Sequence, residues 1–243
     1  MEVPVDVTLV RIDQPGVRNA VNGATAARLH DELLAFDADP DAKVAVLTGD
    51  TTAFCAGANL KDLPTLRPSG PMGPTRLQLS KPVIAAVEGW CVAGGVELAA
   101  WCDLRVAGRS ARFGCLERRW GVPLIDGGTY RLPRIVGLGR ALDLILSGRV
   151  VETDEALALG LVGEVVLPGR HVARALEIAE GLAAFPQAAM LADRRAVYDG
   201  LGLPLADGLA VEARNAGATF ADAAAGAARF ASGEGRGGAG AGV

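Results

Sequence analysis

Two runs of small residues begin soon after an apolar segment ends, and each could set backbone N–H groups against a ligand. The first is Ala53-Phe54-Cys55-Ala56-Gly57-Ala58-Asn59-Leu60, after Val44–Thr48. The second, after Val83–Val87, is Glu88-Gly89-Trp90-Cys91-Val92-Ala93-Gly94-Gly95-Val96-Glu97-Leu98. Small side chains at a loop tip let a ligand approach the main chain closely. Where such a loop opens a helix, its free N–H groups and the helix dipole favour negative charge. Two loops of this kind at neighbouring strand ends could hold one developing oxyanion between them. The same glycines also suit tight turns and close packing, and neither loop alone decides between the two uses. Glu97 by itself suits an ordinary helix N-terminal carboxylate. Glu117 suits an ion pair with Arg112, Arg118 or Arg119.

Other motifs carry less. Gly233-Glu234-Gly235-Arg236-Gly237-Gly238 fits G-x-G-x-x-G but follows no strand and opens no helix, so it is not read as a dinucleotide site. No lysine precedes Ser or Thr, which removes a Walker-type loop, and G-x-S-x-G is absent. The two histidines, His30 and His171, read as surface residues. Cys55, Cys91, Cys102 and Cys115 form no C-x-x-C pair and read as buried free thiols without partners for a metal site.

Several stretches together resemble the crotonase (enoyl-CoA hydratase/isomerase) family. They are Arg18-Asn19-Ala20-Val21-Asn22, Phe54–Leu60, Lys81-Pro82-Val83-Ile84-Ala85-Ala86-Val87, and Gly94–Leu98 with Cys102-Asp103. The last is Phe113-Gly114, Glu117, Gly121, Gly127-Gly128-Thr129 and Arg131-Leu132. No single stretch decides the matter, but five in family order over roughly residues 3–230 make a specific match.

The resemblance implies an α/β fold, a spiral of ββα units with a C-terminal helical trimerisation region. Homotrimers, or dimers of trimers, follow from it. It implies a coenzyme A thioester whose carbonyl oxygen accepts from the N–H groups of Ala58 and Gly94, with Ala56 and Lys61 at coenzyme-contacting positions. Glu97 and Glu117 then bracket the double bond of a 2-enoyl-CoA, which adds water to give a 3-hydroxyacyl-CoA. Glu97 would polarise the water and Glu117 deliver the proton, since burial raises a carboxyl pKa toward the working pH. No metal or separate cofactor is implied, because coenzyme A is part of the substrate. The alternatives are a Δ3,Δ2-enoyl-CoA isomerase, another crotonase reaction using Asp126, or a non-catalytic acyl-CoA-binding protein.

The sequence departs from the family at several points. Asn59 replaces an aspartate, and Leu124-Ile125-Asp126-Gly127-Gly128 replaces Pro-Gly-Ala-Gly-Gly. Ile125 is bulky enough to crowd a water site. Asp126 is either a third acid or, more simply, the cap of a helix starting at Gly127. The segment between Lys61 and Lys81 is short for a hydratase. Cys115 and Trp120 flank Glu117 and either narrow the pocket or, more simply, serve packing.

The elements that must position these residues alternate. Val3–Ile12 reads as a strand, and Ala24–Phe36 as a helix burying Leu29, Leu33 and Phe36. Val44–Thr48 and Val83–Val87 are continuous apolar runs, as in strands buried on both faces of a parallel sheet. Pro64–Pro74, with four prolines, reads as a loop rather than a packed element. Gly94–Trp101 reads as a buried helix and Leu104–Ala107 as a strand, giving right-handed crossovers. Beyond Gly127 the pattern is helical apart from a strand at Val162–Val166, with helices at His171–Ala184, Gln187–Tyr198 and Leu205–Phe230. The expected organisation is a spiral core over 1–185, a helical region over 186–231 and a flexible Gly/Ala tail over 232–243.

Charge narrows the partners. A net charge of −4 and only three lysines, Lys43, Lys61 and Lys81, argue against binding nucleic acid or an anionic membrane. No apolar run of about 18 residues occurs, and the N-terminus lacks signal-peptide character. A cytoplasmic protein is the expectation.

Overall fold

The computed structural model describes residues 2–217 and 219–233. Its elements are β1 (Val7–Arg11), α1 (Gly23–Ala38), β2 (Val44–Thr48), β3 (Ala53–Cys55), β4 (Val83–Val87), β5 (Trp90–Val92) and α2 (Gly94–Trp101). Then come β6 (Leu104–Gly108), β7 (Arg112–Gly114), α3 (Gly128–Val136), α4 (Leu138–Ser147), β8 (Val151–Glu152), α5 (Thr153–Ala158) and β9 (Glu164–Val166). The last are α6 (His171–Ala184), α7 (Gln187–Gly200), α8 (Leu205–Gly217) and α9 (Phe220–Ser232).

The strands divide between two sheets. One is wholly parallel in the order β1-β2-β4-β6-β9; the other runs β3-β5-β7-β8, antiparallel only at its last pair. Each of β2, β4 and β6 in the first sheet is followed at once by β3, β5 or β7 in the second. The chain thus advances as a spiral, adding one strand to each sheet per turn. β2 and β4 are buried throughout, as their apolar runs require. On α1, Leu29, Leu33 and Phe36 face the core, and Asn22 caps the helix by accepting from Thr25 N–H at 3.0 Å.

Several expected boundaries differ. β1 starts at Val7 because Val7 N–H turns back to the Pro4 carbonyl. β3, β5, β7 and the two-residue β8 are too short to leave a periodic signal, so the small-residue runs begin as strands before becoming loops. β9 starts at Glu164, because Leu161 and Val162 donate to the Ala156 carbonyl instead of to a strand. The single helix expected over Leu205–Phe230 is two. Gly217 is a weak helix former, and Thr219, the N-cap of α9, donates its hydroxyl to the Ala216 carbonyl. The segment at 64–74 is a loop, exposed or half-buried through Ser69, but Gly70 through Thr75 are buried. His171 is buried rather than superficial, 3.2 Å from the Glu88 carboxylate.

The chain divides into two compact units within α6, the first ending at Ala179 and the second starting at Glu180. In the second unit α7 packs on α8, and Val197, Leu205, Leu209, Phe220 and Phe230 are exposed. The Gly/Ala tail from residue 234 lies outside the described residues.

Candidate active site

The two small-residue runs touch in space. Val21 N–H donates to the Gly57 carbonyl at 2.8 Å and Asn59 N–H to the Val21 carbonyl at 2.8 Å. This parallel bridge uses both neighbours of Ala58 and turns Ala58's own N–H away from Val21. The Arg18-Asn19 pair anchors the same loop. Arg18 O accepts from Ala56 N–H at 3.1 Å, and the fully buried Asn19 bonds Gln14 N–H, the Ala53 carbonyl and Asp50. Nothing local in Arg18-Asn19-Ala20-Val21-Asn22 signals this anchoring role.

The second run enters α2 through Ala93, whose φ of 54° and ψ of −128° lie where side chains are rarely tolerated. A Cβ on Gly57 (φ +91°) would lie 2.8 Å from Ala93 Cβ and 3.0 Å from Gly94 N, so the two loops are in contact there. A Cβ on Gly95 would lie 2.1 Å from the Cys55 carbonyl, which presses the first turn of α2 onto β3. Ala58 and Gly94 remain half-exposed beside each other's loops, a placement suited to receiving one oxygen atom.

Glu97 sits one turn into α2 and is 3% exposed. Its Oε1 accepts from Gly128 N–H at 2.8 Å and Asp126 N–H at 2.9 Å. Burial pushes its pKa up to about 7, with the charges of Asp126 and Glu117 adding to the rise and the two N–H donors opposing it. Glu117 lies in a 3₁₀ turn, Leu116–Trp120, and is 5% exposed. Neither of its carboxyl oxygens has a hydrogen-bond partner among the described residues. Burial raises its pKa too. The Cys115 thiol is pushed up to about 12, by burial first and then by the charges of Glu117 and Glu97. The two carboxyl groups therefore share one poorly solvated neighbourhood.

Asp126 does not cap α3. That helix has Gly127 at its N-cap without a side-chain bond, and Glu97 takes the N–H of Gly128 instead. Asp126 Oδ1 faces the opposite way, accepting from Met72 N–H at 3.0 Å and from the Thr75 hydroxyl. Met72 in turn lies against Gly94, where a Cβ would come within 2.8 Å of its Sδ. Met72, in the proline-rich loop, and Thr75, just after it, carry no local sequence sign of these contacts. Trp120 is 72% exposed, so it is not a core packing residue, whereas Cys115 is buried. Lys61 is exposed, its N–H on Asn59 Oδ1 at 3.0 Å.

A cleft of about 610 Å³ lies elsewhere, along β1 and α1, lined by Leu9, Arg11, Arg28, Glu32 and Phe36 among others. It includes neither buried glutamate. Among the described residues no group of His, Cys, Asp and Glu could hold a metal ion.

The ββα spiral brings two small-residue loops into contact and buries two carboxyl groups, Glu97 and Glu117, in one neighbourhood suited to moving protons. The profile of the enoyl-CoA hydratase/isomerase family matches residues 2–234, and the chain belongs to that family. It is 40% identical over 215 residues to a probable enoyl-CoA hydratase of Rhizobium meliloti, covering 86% of this chain and 84% of that protein. It is 33% identical over 231 residues to the crotonyl-CoA hydratase of Syntrophomonas wolfei, covering 91% and 89%. The crystal structure of an enoyl-CoA hydratase from Mycobacterium marinum superposes with a TM-score of 0.90 at 34% identity, over 95% of this chain and 94% of that one.

Proposed function

We propose that the chain is an enoyl-CoA hydratase, adding water across a 2-enoyl-CoA to form a 3-hydroxyacyl-CoA. The observation that carries the reading is Glu117, a buried carboxyl group whose two oxygens lack partners, in the same poorly solvated neighbourhood as Glu97. A buried polar group left unmatched costs about 1–3 kcal/mol, which a hydrogen bond to Glu117 would recover. Water held between the two glutamates would match it.

In this reading the thioester oxygen rests between the N–H groups of Ala58 and Gly94, with Ala56 and Lys61 against the coenzyme. Glu97, its Oε1 fixed by two N–H donors, draws a proton from water as the oxygen adds to C3. Charge then builds on the thioester oxygen, where the two backbone donors stabilise it, and Glu117 delivers a proton to C2. The reaction moves no electrons between redox states, and the two carboxyl groups supply both transfers, so the scheme includes no metal or nicotinamide.

A homotrimer or dimer of trimers is part of the proposal. Its support is apolar surface left uncovered in the single chain, with Leu138, Leu142 and Leu146 at four-residue spacing on α4 and further exposed residues on α8 and α9. A cytoplasmic setting fits four free cysteines. Among the described residues no helix is long and apolar enough to cross a membrane.

The test is loss of the conjugated thioester absorbance of crotonyl-CoA, with Glu97→Gln and Glu117→Gln alongside. Rapid loss in the native protein, reduced by about 10²-fold or more in each variant, is the expected result. Turnover indifferent to Glu117, or thioester binding without turnover, would overturn the reading. A 3-enoyl-CoA converted to 2-enoyl-CoA without hydration would point instead to isomerisation.

A further inference from the structure

Asp126 is buried, 3% exposed, and its Oδ1, N–H and carbonyl are each engaged across the fold. Its Oδ1 takes two donors, Met72 N–H and the Thr75 hydroxyl, which fills both lone pairs of that oxygen. Its N–H goes to Glu97 Oε1. Its carbonyl accepts from Arg131 Nη1 at 2.9 Å, and Arg131 Nη2 reaches the Thr75 carbonyl at 2.7 Å, tying the same two segments a second time. The packing is tight around Oδ1. A Cβ on Gly70 (φ +98°) would lie 2.7 Å from Asp126 Oδ1 and 2.1 Å from Thr75 Oγ1.

We propose that Asp126 is a positioning residue that latches the Gly70–Thr75 segment to the N-terminus of α3, holding Met72 against Gly94 and Glu97 in its working orientation. The inference rests on the hydratase reading above and assigns Asp126 no proton transfer. One residue joins the two halves of the site. Through its side chain it fixes the wall beside the Gly94 donor, and through its N–H it fixes the Glu97 carboxyl.

The latch also carries charge. Around Glu97 the groups that act on its proton are the Asp126 carboxylate, the Glu117 carboxyl, and the Asp126 and Gly128 N–H donors. The Cys115 thiol senses both glutamates, and Arg131 lies beyond, on the Asp126 and Thr75 carbonyls. An uncharged isostere at Asp126 therefore keeps the latch while removing a repulsion that favours protonated Glu97. Its effect has a sign: Glu97 ionises at lower pH, and the acidic limb of the rate profile moves down.

Asp126→Asn, Asp126→Ala and the milder Thr75→Val separate the possibilities. Hydrogen exchange at the Met72 amide reads the latch without any turnover. It is expected to stay slow in Asp126→Asn, whose side-chain oxygen still accepts, and to quicken in Asp126→Ala. With crotonyl-CoA, kcat is expected to fall by less than about tenfold in Asp126→Asn and by about 10²-fold in Asp126→Ala, the scale of a misplaced catalytic group. The acidic limb of kcat/KM is expected at lower pH in Asp126→Asn. Thr75→Val is expected to quicken Met72 exchange to a lesser extent. Asp126→Asn as inactive as Glu97→Gln, with Met72 still protected, would make Asp126 a proton-transfer group and overturn the proposal. Equal Met72 protection in all the proteins would also overturn it. Native protein that fails to hydrate crotonyl-CoA would sink the hydratase reading while leaving the exchange test of the latch intact.

Discussion

Glu97 Oε1 accepts from the N–H of Gly128 at 2.8 Å, so a side chain of α2 serves as the N-terminal cap of α3. The bond joins the fold to the chemistry. The free N–H groups at a helix start favour a carboxylate, which holds Glu97 in one orientation while burial resists its ionisation. A group meant to gain and lose a proton near neutrality is served by that opposition.

Gly128→Ala tests the closeness of this contact. An added Cβ would stand 3.0 Å from both Cγ and Oε1 of Glu97, so the glutamate must yield. Alanine favours a helix over glycine by about 1 kcal/mol, which offsets part of the strain. The expected outcome is stability within about 1 kcal/mol of native but kcat reduced by at least about tenfold. Stability follows from urea unfolding and kcat from the crotonyl-CoA assay. Native kcat would show that the glutamate has freedom the geometry denies it.

Glu97→Gln should stabilise the fold, and more so at higher pH. The folded pKa stands at about 7 against 4.5 for the free side chain. Because it is raised, the stability it contributes is complete below 4.5 and is lost as pH rises toward 7. Glutamine keeps the acceptor oxygen and loses the titration. At 1.36 kcal/mol per pH unit, its advantage over native should be greater at pH 8 than at pH 5 by up to about 3 kcal/mol. Denaturant unfolding of both proteins at the two pH values measures this. A constant difference would mean that Glu97 ionises in the fold as it does in water.

Asn19→Ala should cost stability without touching the substrate. It strips partners from Gln14 N–H and the Ala53 carbonyl and leaves alanine at a φ of 57°. A partly buried N–H without its acceptor, a carbonyl left with Asp50 N–H alone and a left-handed alanine together suggest a loss of about 1–3 kcal/mol. Chemical denaturation checks it, and a loss below about 0.5 kcal/mol would mean that water or rearrangement supplies new partners.

What could be read in advance follows from the range of the interactions. β2 and β4 are uninterrupted apolar runs, so their burial on both faces is written locally. Glu97 is marked by the glycine pair before it, and the five stretches in family order pointed to the spiral. β3 and β5 are three residues each and are defined by pairing within the second sheet, which no periodic pattern records. The Asp126 contacts span 51 and 54 residues and reach into a proline-rich segment. Locally that aspartate precedes a helix, where a cap is the natural inference. The nearby Glu97 had already taken that N–H, leaving the aspartate to face elsewhere.

Gly57→Ala reaches the Gly94 donor without altering Gly94 itself. Gly57 has a φ of +91°, and an added Cβ would meet Ala93 Cβ at 2.8 Å, Gly94 N at 3.0 Å and Val92 O at 3.3 Å. Ala93 already holds an unfavourable conformation, so it has little room to retreat, and displacement passes to the start of α2. Stability should fall by about 1–3 kcal/mol from backbone strain. kcat/KM should fall by about 10²-fold as the N–H moves off the developing oxyanion. Ala93→Gly in the same background removes one of the two colliding carbons and the unfavourable Ala93 conformation. It should therefore restore part of the rate, making the two substitutions non-additive in a double-mutant cycle. Additive losses would mean that the two loops do not transmit force to each other, and that the Gly94 N–H is placed by α2 alone.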